Sequence, residues 1–159
     1  MDNNAPPVHR TMIKIYSELI NEKWIVSKRV YDSMMPVDRG DFSPTRPYQN
    51  FSQLIGYNEV ISVPLLHSYY LELLKNYLNE GNTVLDIGFD NGYLTVVMSK
   101  MMNDRGTVIG IEQIKDLYDW GINKISKHHK DLIEDKKLEL IYGDGRLGYK
   151  NKVLINIYM

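Results

Sequence analysis

The glycine-bearing turn at residues 86–92, DIGFDNG, is the feature of this sequence whose residue types most clearly permit chemistry. Glycine lets a backbone turn sharply and approach a ligand closely. A helix that begins behind such a turn offers free N–H groups. The turn therefore predicts a ligand-binding site, and a plain connection between a strand and a helix is the alternative.

Acidic residues downstream of the turn extend this prediction. Glu112 lies 20 residues beyond the turn and ends an apolar run, and Asp144-Gly145 follows the next apolar run. A carboxylate at the first of these positions can accept hydrogen bonds from both ribose hydroxyls of a nucleoside. A nicotinamide fingerprint fails because Asp90 and Tyr93 stand where it needs glycines, and no Gly-Lys-Ser/Thr follows to make a P-loop. Together these residues favour a nucleoside site, although Glu112 alone could be a solvated carboxylate at a strand end.

Strands and helices alternate around these positions. Apolar runs at 83–87, 106–111 and 137–142 predict strands, and 93–102 and 114–129 predict helices. This alternation indicates right-handed βαβ units and an α/β fold with a parallel, Rossmann-like sheet. We expect the strand order third, second, first, with the ligand at the carboxyl ends of the strands.

The last apolar run, Val153 to Tyr158, is predicted to be a fourth strand beside residues 83–87. Without it, the central strand would expose its hydrogen-bonding edge to water and to other chains. The tail would then itself form an exposed edge, so we expect poor solubility or self-association of the chain.

The sequence before Pro64 predicts helices and loops. Residues 1–8 are predicted to be a disordered arm because of their asparagines and prolines. Periodic apolar residues predict a helix over 9–23, and Ser27 is the predicted N-cap of a second helix that ends near Met35. Residues 36–59 are predicted to be irregular, which in a compact domain usually indicates a functional loop.

A third helix is predicted to follow Pro64. We therefore divide the chain into an N-terminal extension of helices and loops, residues 9–63, and a ligand-binding domain, residues 64–159.

Composition narrows the class of protein. The net charge is -1, from 19 basic and 20 acidic residues, so neither nucleic acid nor a membrane surface is favoured as a partner. Cysteine is absent, which excludes a disulfide framework, a thiolate metal site and a cysteine nucleophile. No apolar stretch approaches a membrane span, and the polar N-terminus is unlike a signal peptide. We expect a soluble, cytoplasmic protein.

Several segments resemble a known family. VLDIGFDNGYLT resembles the S-adenosylmethionine-binding turn of class I methyltransferases. The segments GTVIGIEQIKDL, YGDGRLGY, IGYNEVISVPLLHSYYLELL and VDRGDF resemble protein-L-isoaspartate O-methyltransferases specifically. The resemblance runs from about His9 to Tyr149, nearly the whole chain, and implies a Rossmann-like sheet of three to four strands with N-terminal helices.

The resemblance implies which residues hold the cofactor, S-adenosyl-L-methionine. The methionine end of the cofactor would be cradled by Gly88, Phe89, Asp90, Asn91 and Gly92. Glu112 would bind the ribose, and Asp144 and Gly145 would bind the adenine.

The resemblance also assigns roles within the ISVP-x-x-H segment. Val60, Ile61, Ser62 and His67 fall where the family contacts cofactor and substrate, and Ser62 matches the catalytic serine. By itself, Ser62 could be the N-cap of the following helix, and His67 could be a packed or surface histidine. Asp38-Arg39 in VDRGDF would shape the peptide site, or else form a surface ion pair.

The implied reaction moves a methyl group from S-adenosylmethionine to the carboxylate of L-isoaspartyl, and D-aspartyl, residues in damaged proteins. Its partners would be damaged proteins and peptides, without a metal, nucleic acid or membrane, and family members are typically monomeric. This sequence departs from the family in four respects. Asp90 replaces the middle glycine of the turn, Leu65 replaces a histidine, and Glu112 replaces an aspartate. Family members also continue for several more strands after GDGRLGY, whereas this sequence stops at Met159. The alternative is therefore a truncated fragment that binds cofactor or peptide without catalysis.

Overall fold

The N-terminal part of the chain forms helices and a hairpin. The structure is a computed structural model that describes residues 7–149 and 155–158. Its first elements are α1 (Pro7–Asn21), α2 (Lys28–Met34), α3 (Arg39–Phe42), β1 (Gln53–Gly56) and β2 (Glu59–Ile61). The strands β1 and β2 pair antiparallel.

The remaining elements alternate between helix and strand, as predicted. They are α4 (Pro64–Leu74), β3 (Thr83–Ile87), α5 (Tyr93–Met101), β4 (Thr107–Glu112), α6 (Lys115–His128), α7 (Lys130–Glu134), β5 (Leu138–Tyr142), a 3₁₀ turn (Gly145–Leu147) and β6 (Ile155–Tyr158). Among the described residues, no helix is both long and apolar enough to cross a membrane.

A parallel sheet organises this second part of the chain. Its strand order is β5-β4-β3-β6, which confirms the predicted order and the fourth strand beside β3. Ile87 pairs with Ile111 in β4 and with Tyr158 in β6, so the carboxyl ends of the strands meet at one edge. Residues 153 and 154 of the predicted fourth strand lie outside the described residues. The register places the turns after β3, β4 and β5 side by side.

One apolar core joins the N-terminal helices to the sheet. It includes Met12 of α1, Phe42 of α3, Leu71 of α4, Val97 of α5 and Leu138 of β5, all buried. A smaller cluster, with Leu85, Ile109 and Ile111 at its centre, lies apart from this core. Because the helices before Pro64 share the core of the sheet, they can hold side chains rigidly against its edge.

The structure corrects two predictions about the N-terminal part. Helix α1 begins at Pro7, so residues 7 and 8 are helical rather than part of a disordered arm, while residues 1–6 lie outside the described residues. The segment 36–59 contains α3, β1 and the start of β2, not only irregular structure. The hairpin turns through Gly56, Tyr57 and Asn58, all at positive φ, a left-handed geometry that this sequence signals only weakly.

Ser27 occupies the predicted N-cap position of α2 but makes no capping bond. Its hydroxyl instead donates to the carboxylate of Glu72 in α4 at 2.7 Å, so the residue ties two helices together.

Candidate cofactor and substrate site

Two adjoining cavities lie at the carboxyl edge of the sheet. The larger, about 320 Å³, is lined by residues that follow β3, β4 and β5, together with Glu59 of β2. The smaller, about 120 Å³, lies between the turn after β3 and the start of α4. Gly88 and Asp90 line both cavities, so the two cavities adjoin at the glycine-bearing turn.

Gly88 is the residue of the turn whose backbone is most open to a ligand. Its φ is +77°, and a Cβ atom added there would meet no atom within 4 Å. The open space in front of the residue belongs to the two cavities, and the left-handed backbone favours glycine. A cofactor can therefore approach the main chain here without contacting a side chain.

Glu112 is a buried carboxylate held in one orientation. The residue is 2% exposed, and its Oε1 accepts a hydrogen bond from the Ile114 amide at 2.8 Å. Its Oε2 accepts from the Asp90 amide at 3.2 Å. Each carboxylate oxygen has a second lone pair, so both remain able to accept from a ligand. The larger cavity thus holds a fixed acceptor suited to a pair of hydroxyl donors.

Asp144 and Gly145 line the far side of the same cavity. The carboxylate of Asp144 accepts from the backbone and guanidinium of Arg146, with the shortest contact at 2.6 Å. These bonds lower the pKa of Asp144. A Cβ atom at Gly145 would lie 2.2 Å from Cγ2 of Ile87, so the absence of a side chain lets the 3₁₀ turn pack on β3.

Asp90 adopts the left-handed backbone that its place in the turn requires, with φ +51°. Aspartate tolerates this region better than most residues, which explains how it can replace the glycine. Burial and then the charges of Glu112, Glu59 and Asp86 raise the pKa of Asp90 to about 7. The substitution therefore brings an additional carboxyl into an already acidic site.

The smaller cavity brings together the residues of the ISVP-x-x-H segment. Ile61, Ser62 and His67 line it, opposite Gly88, Phe89 and Asn91. Ser62 precedes α4, whose N-cap is Val63, and its hydroxyl makes no hydrogen bond within the described part of the chain. Ser62 is therefore not a helix cap. Its hydroxyl is free to contact a ligand.

His67 is a buried cavity residue, 6% exposed, and not a surface histidine. Its Nδ1 lies 2.9 Å from Nη1 of Arg39. Its ring stacks obliquely on Tyr93, with centroids 5.0 Å apart. Burial and then the charge of Arg39 hold the pKa of His67 well below its ordinary value, so the imidazole is neutral.

The structure does not bring every predicted site residue to the cavities. Val60 is 40% exposed on β2 and lines neither of them. Gly92 also lines neither, and a Cβ atom there would lie 2.5 Å from Ile125, so this glycine serves helix packing. Asn91 lines the smaller cavity, but its side chain donates to the Phe42 carbonyl at 3.0 Å and accepts from the Tyr93 amide at 3.1 Å.

Other cavity residues were not predicted. Asp86 is 3% exposed, accepts a hydrogen bond from the Thr95 hydroxyl at 2.6 Å and lines the smaller cavity. Burial raises the pKa of Asp86 to about 6. The available signal was its place as the first residue of the glycine-bearing segment 86–92, where an apolar strand ends. Glu59 and Tyr70 had no such signal, because they reach the cavities only through the hairpin and α4.

Comparison with known proteins identifies the family. The sequence profile of protein-L-isoaspartate(D-aspartate) O-methyltransferase matches residues 10–156. A protein-L-isoaspartate O-methyltransferase of Caenorhabditis elegans is 41% identical over 146 residues, which cover 92% of this chain and 65% of the relative. Protein-L-isoaspartate O-methyltransferase 2 of Arabidopsis thaliana is 38% identical over 129 residues, 79% of this chain and 42% of the relative.

A solved structure agrees with these relatives. A Plasmodium falciparum protein described as a protein-L-isoaspartate O-methyltransferase, in complex with S-adenosyl-L-homocysteine, superposes with a TM-score of 0.79 and 30% identity. The match covers 83% of this chain and 62% of that protein. This chain thus spans about two thirds, or less, of the length of the proteins it resembles. The match over nearly the whole chain shows that it belongs to the protein-L-isoaspartate(D-aspartate) O-methyltransferase family.

Proposed function

We propose that this chain binds S-adenosyl-L-methionine in the larger cavity and methylates the carboxylate of L-isoaspartyl, and D-aspartyl, residues in damaged proteins. The observation that carries the proposal is the joining of two cavities at Gly88. One offers a fixed buried carboxylate, Glu112, and the other offers the unpartnered hydroxyl of Ser62. The bound S-adenosyl-L-homocysteine of the Plasmodium relative supports the choice of cofactor.

The residues present suit this cofactor. The open backbone at Gly88 admits a ligand between the two cavities. Glu112 would accept from the ribose hydroxyls, and Asp144 with Gly145 would contact the adenine at the far side of the larger cavity. Asp86 lines the smaller cavity, where its acidic group favours a ligand that carries positive charge.

The reaction would require positioning more than acid–base chemistry. The cofactor supplies a methyl group on a positively charged sulfur, and the attacking carboxylate forms a C–O bond while the C–S electron pair returns to sulfur. A substrate carboxylate with a pKa near 4 is already ionised at neutral pH, so no proton has to be removed. Ser62 and His67 would orient that carboxylate by hydrogen bonds, and the narrow cavity would exclude water from it.

Matched peptides test the proposal. A peptide with one isoaspartyl residue and its aspartyl counterpart are incubated with the 159-residue chain in excess and with cofactor labelled in its methyl group. We expect base-labile label on the isoaspartyl peptide and background label on its counterpart. The same background on both peptides in a single turnover would exclude the activity.

A second function rests on the length of the match. Because the chain covers 65% of the Caenorhabditis relative, it could bind cofactor or peptide without catalysis. Calorimetric binding of S-adenosylmethionine without transfer in the single-turnover experiment would support this alternative.

We also propose that the protein is cytoplasmic, as the absence of cysteine suits a reducing compartment.

A further inference from the structure

Arg39 is a buried cation whose contacts lead to the smaller cavity. It begins α3, is 1% exposed, and makes no ion pair with a carboxylate within the described part of the chain. The carboxylate of the neighbouring Asp38 contacts other groups instead, because it accepts from the Gly40 amide and the Tyr48 hydroxyl, both at 2.7 Å. The alternative of a surface ion pair, Asp38-Arg39, is therefore wrong.

The partners of Arg39 are instead two residues of the candidate substrate site and one aromatic ring. Its Nη1 donates to Nδ1 of His67 at 2.9 Å, and its Nη2 donates to the backbone carbonyl of Ser62. Its guanidinium carbon lies 5.4 Å from the centre of the Tyr93 ring. A buried charge without a counter-ion is costly, and its Nε is buried without a partner in the described residues. A function at the cavity would explain why arginine occupies this place.

The contact with His67 determines where the imidazole proton lies. A guanidinium can only donate, so the nitrogen that faces Arg39 must be unprotonated. A neutral imidazole carries one proton, which is then on Nε2. His67 lines the smaller cavity, and its Nε2 has no hydrogen-bond partner among the described residues. Nε2–H is therefore a donor available at the cavity.

The contact of Arg39 with Ser62 affects the second donor at the cavity, the Ser62 hydroxyl. The guanidinium holds the backbone carbonyl of Ser62, which lines the same cavity as His67. The rigid, planar guanidinium of Arg39 thus contacts both residues that would orient the substrate. A lysine side chain carries a single ammonium group, so it could not make both contacts in the same geometry.

We propose that Arg39 is a positioning residue that holds His67 in its Nε2–H tautomer and fixes the backbone of Ser62, so that both side chains donate to the same substrate carboxylate. The assignment of that carboxylate rests on the proposed function, whereas the tautomer does not.

The surroundings of His67 leave Arg39 as the group that selects the tautomer. Tyr93 faces the imidazole with its ring, and its hydroxyl is engaged with that of Tyr16 at 3.1 Å. The acidic groups of Asp86 and Asp90, and the side chain of Tyr70, face the same cavity. Burial and the charge of Arg39 keep the pKa of His67 low, so these carboxyls do not turn the imidazole into a cation.

Nitrogen-15 NMR of the imidazoles tests the tautomer without any assay of activity. The His67 signals of the wild-type chain are assigned by their loss in His67→Gln. At pH 7.5 we expect a bare Nδ1 and a protonated Nε2. In Arg39→Met the donor to Nδ1 is gone, so the proton should distribute over both nitrogens. Arg105→Met is the matched control, because this exposed arginine pairs with Glu80, and it should leave the His67 signals unchanged.

Kinetics tests the positioning. We expect Arg39→Met to lower kcat/KM for an isoaspartyl peptide ~10- to 100-fold, as for the loss of aligned hydrogen-bond donors, while the Kd of the cofactor changes less than about twofold. Arg39→Lys keeps the positive charge but loses the planar guanidinium, so its kcat/KM should lie between those of wild type and Arg39→Met. If Arg39→Met does not fold, Arg39→Lys takes its place in the experiment.

Two results would overturn the proposal. One is a wild-type His67 that carries its proton on Nδ1 or on both nitrogens. The other is an Arg39 variant that folds and keeps both the tautomer and kcat/KM. If the wild-type chain methylates no peptide while the NMR result holds, the proposed function fails and Arg39 remains the group that sets the tautomer.

Discussion

Replacement of Asp90 by asparagine should stabilise the chain, and increasingly so at higher pH. Asp90 is partly buried in the turn, and its side chain makes no hydrogen bond with the described residues, although its amide donates to Glu112. Asparagine has nearly the same shape and tolerates the left-handed backbone at φ +51°. The substitution therefore removes a charge and leaves the geometry of the turn intact.

The size of the effect follows from the pKa. Burial and the nearby carboxylates raise the pKa of Asp90 from 3.8 to about 7. A carboxyl whose pKa is higher in the folded than in the unfolded chain lowers stability progressively as the pH rises from the lower value to the higher one. Between pH 5 and pH 8 this cost grows by at most about 3 kcal/mol, at ~1.4 kcal/mol per pH unit up to the folded pKa. We expect about half of this, because the nearby Asp86 adjusts its own protonation when Asp90 ionises.

Urea unfolding of wild type and Asp90→Asn at pH 5 and pH 8 measures this difference. We expect the gain in the free energy of unfolding to be larger at pH 8 than at pH 5 by about 1–2 kcal/mol. Asp135→Asn is the control, since Asp135 is an exposed carboxyl at the end of α7, and it should change stability by less than about 0.5 kcal/mol at either pH. An equal gain at both pH values, or a loss at pH 8, would refute the electrostatic account of the turn.

Four further predictions follow from the site and the sheet edge. Gly88→Val should abolish binding of S-adenosylmethionine by calorimetry, because its side chain would enter the open space between the cavities. Gly81→Val, with similar backbone strain at φ +81° but at the opposite end of β3, should bind normally, and a loss in both variants would point to strain alone. Asp90→Gly should tighten cofactor binding by removing a carboxylate near the cofactor's own, and weaker binding would mean that Asp90 contributes favourably. Ser62→Ala should lower turnover of isoaspartyl peptide ~100-fold with little change in cofactor affinity, and unchanged turnover would remove Ser62 from the mechanism. Because β6 is the edge of the described sheet, sedimentation should show self-association at high concentration, which a monodisperse monomer would contradict.

The sequence by itself determined the sheet and the place of the site. Apolar runs separated by helical segments leave little choice of topology, because parallel strands need right-handed crossovers. That rule placed Gly88, Glu112 and Asp144 at one edge, where the structure has them around one cavity. The tail could likewise be assigned to β3, since a central strand requires a partner on each side.

Only the tertiary structure decided which neighbours share the small volume between the turn and α4. Nothing local distinguishes the buried Arg39 from a surface arginine, and its contacts with His67 and Ser62 join residues far apart in the chain. Val60 and Gly92 lie within the predicted motifs, yet strand alternation turns the first outward and helix packing occupies the second. The pKa of Asp90 depends on Glu112, Glu59 and Asp86. Desolvation and charge coupling depend on distances between elements, and a linear pattern does not contain those distances.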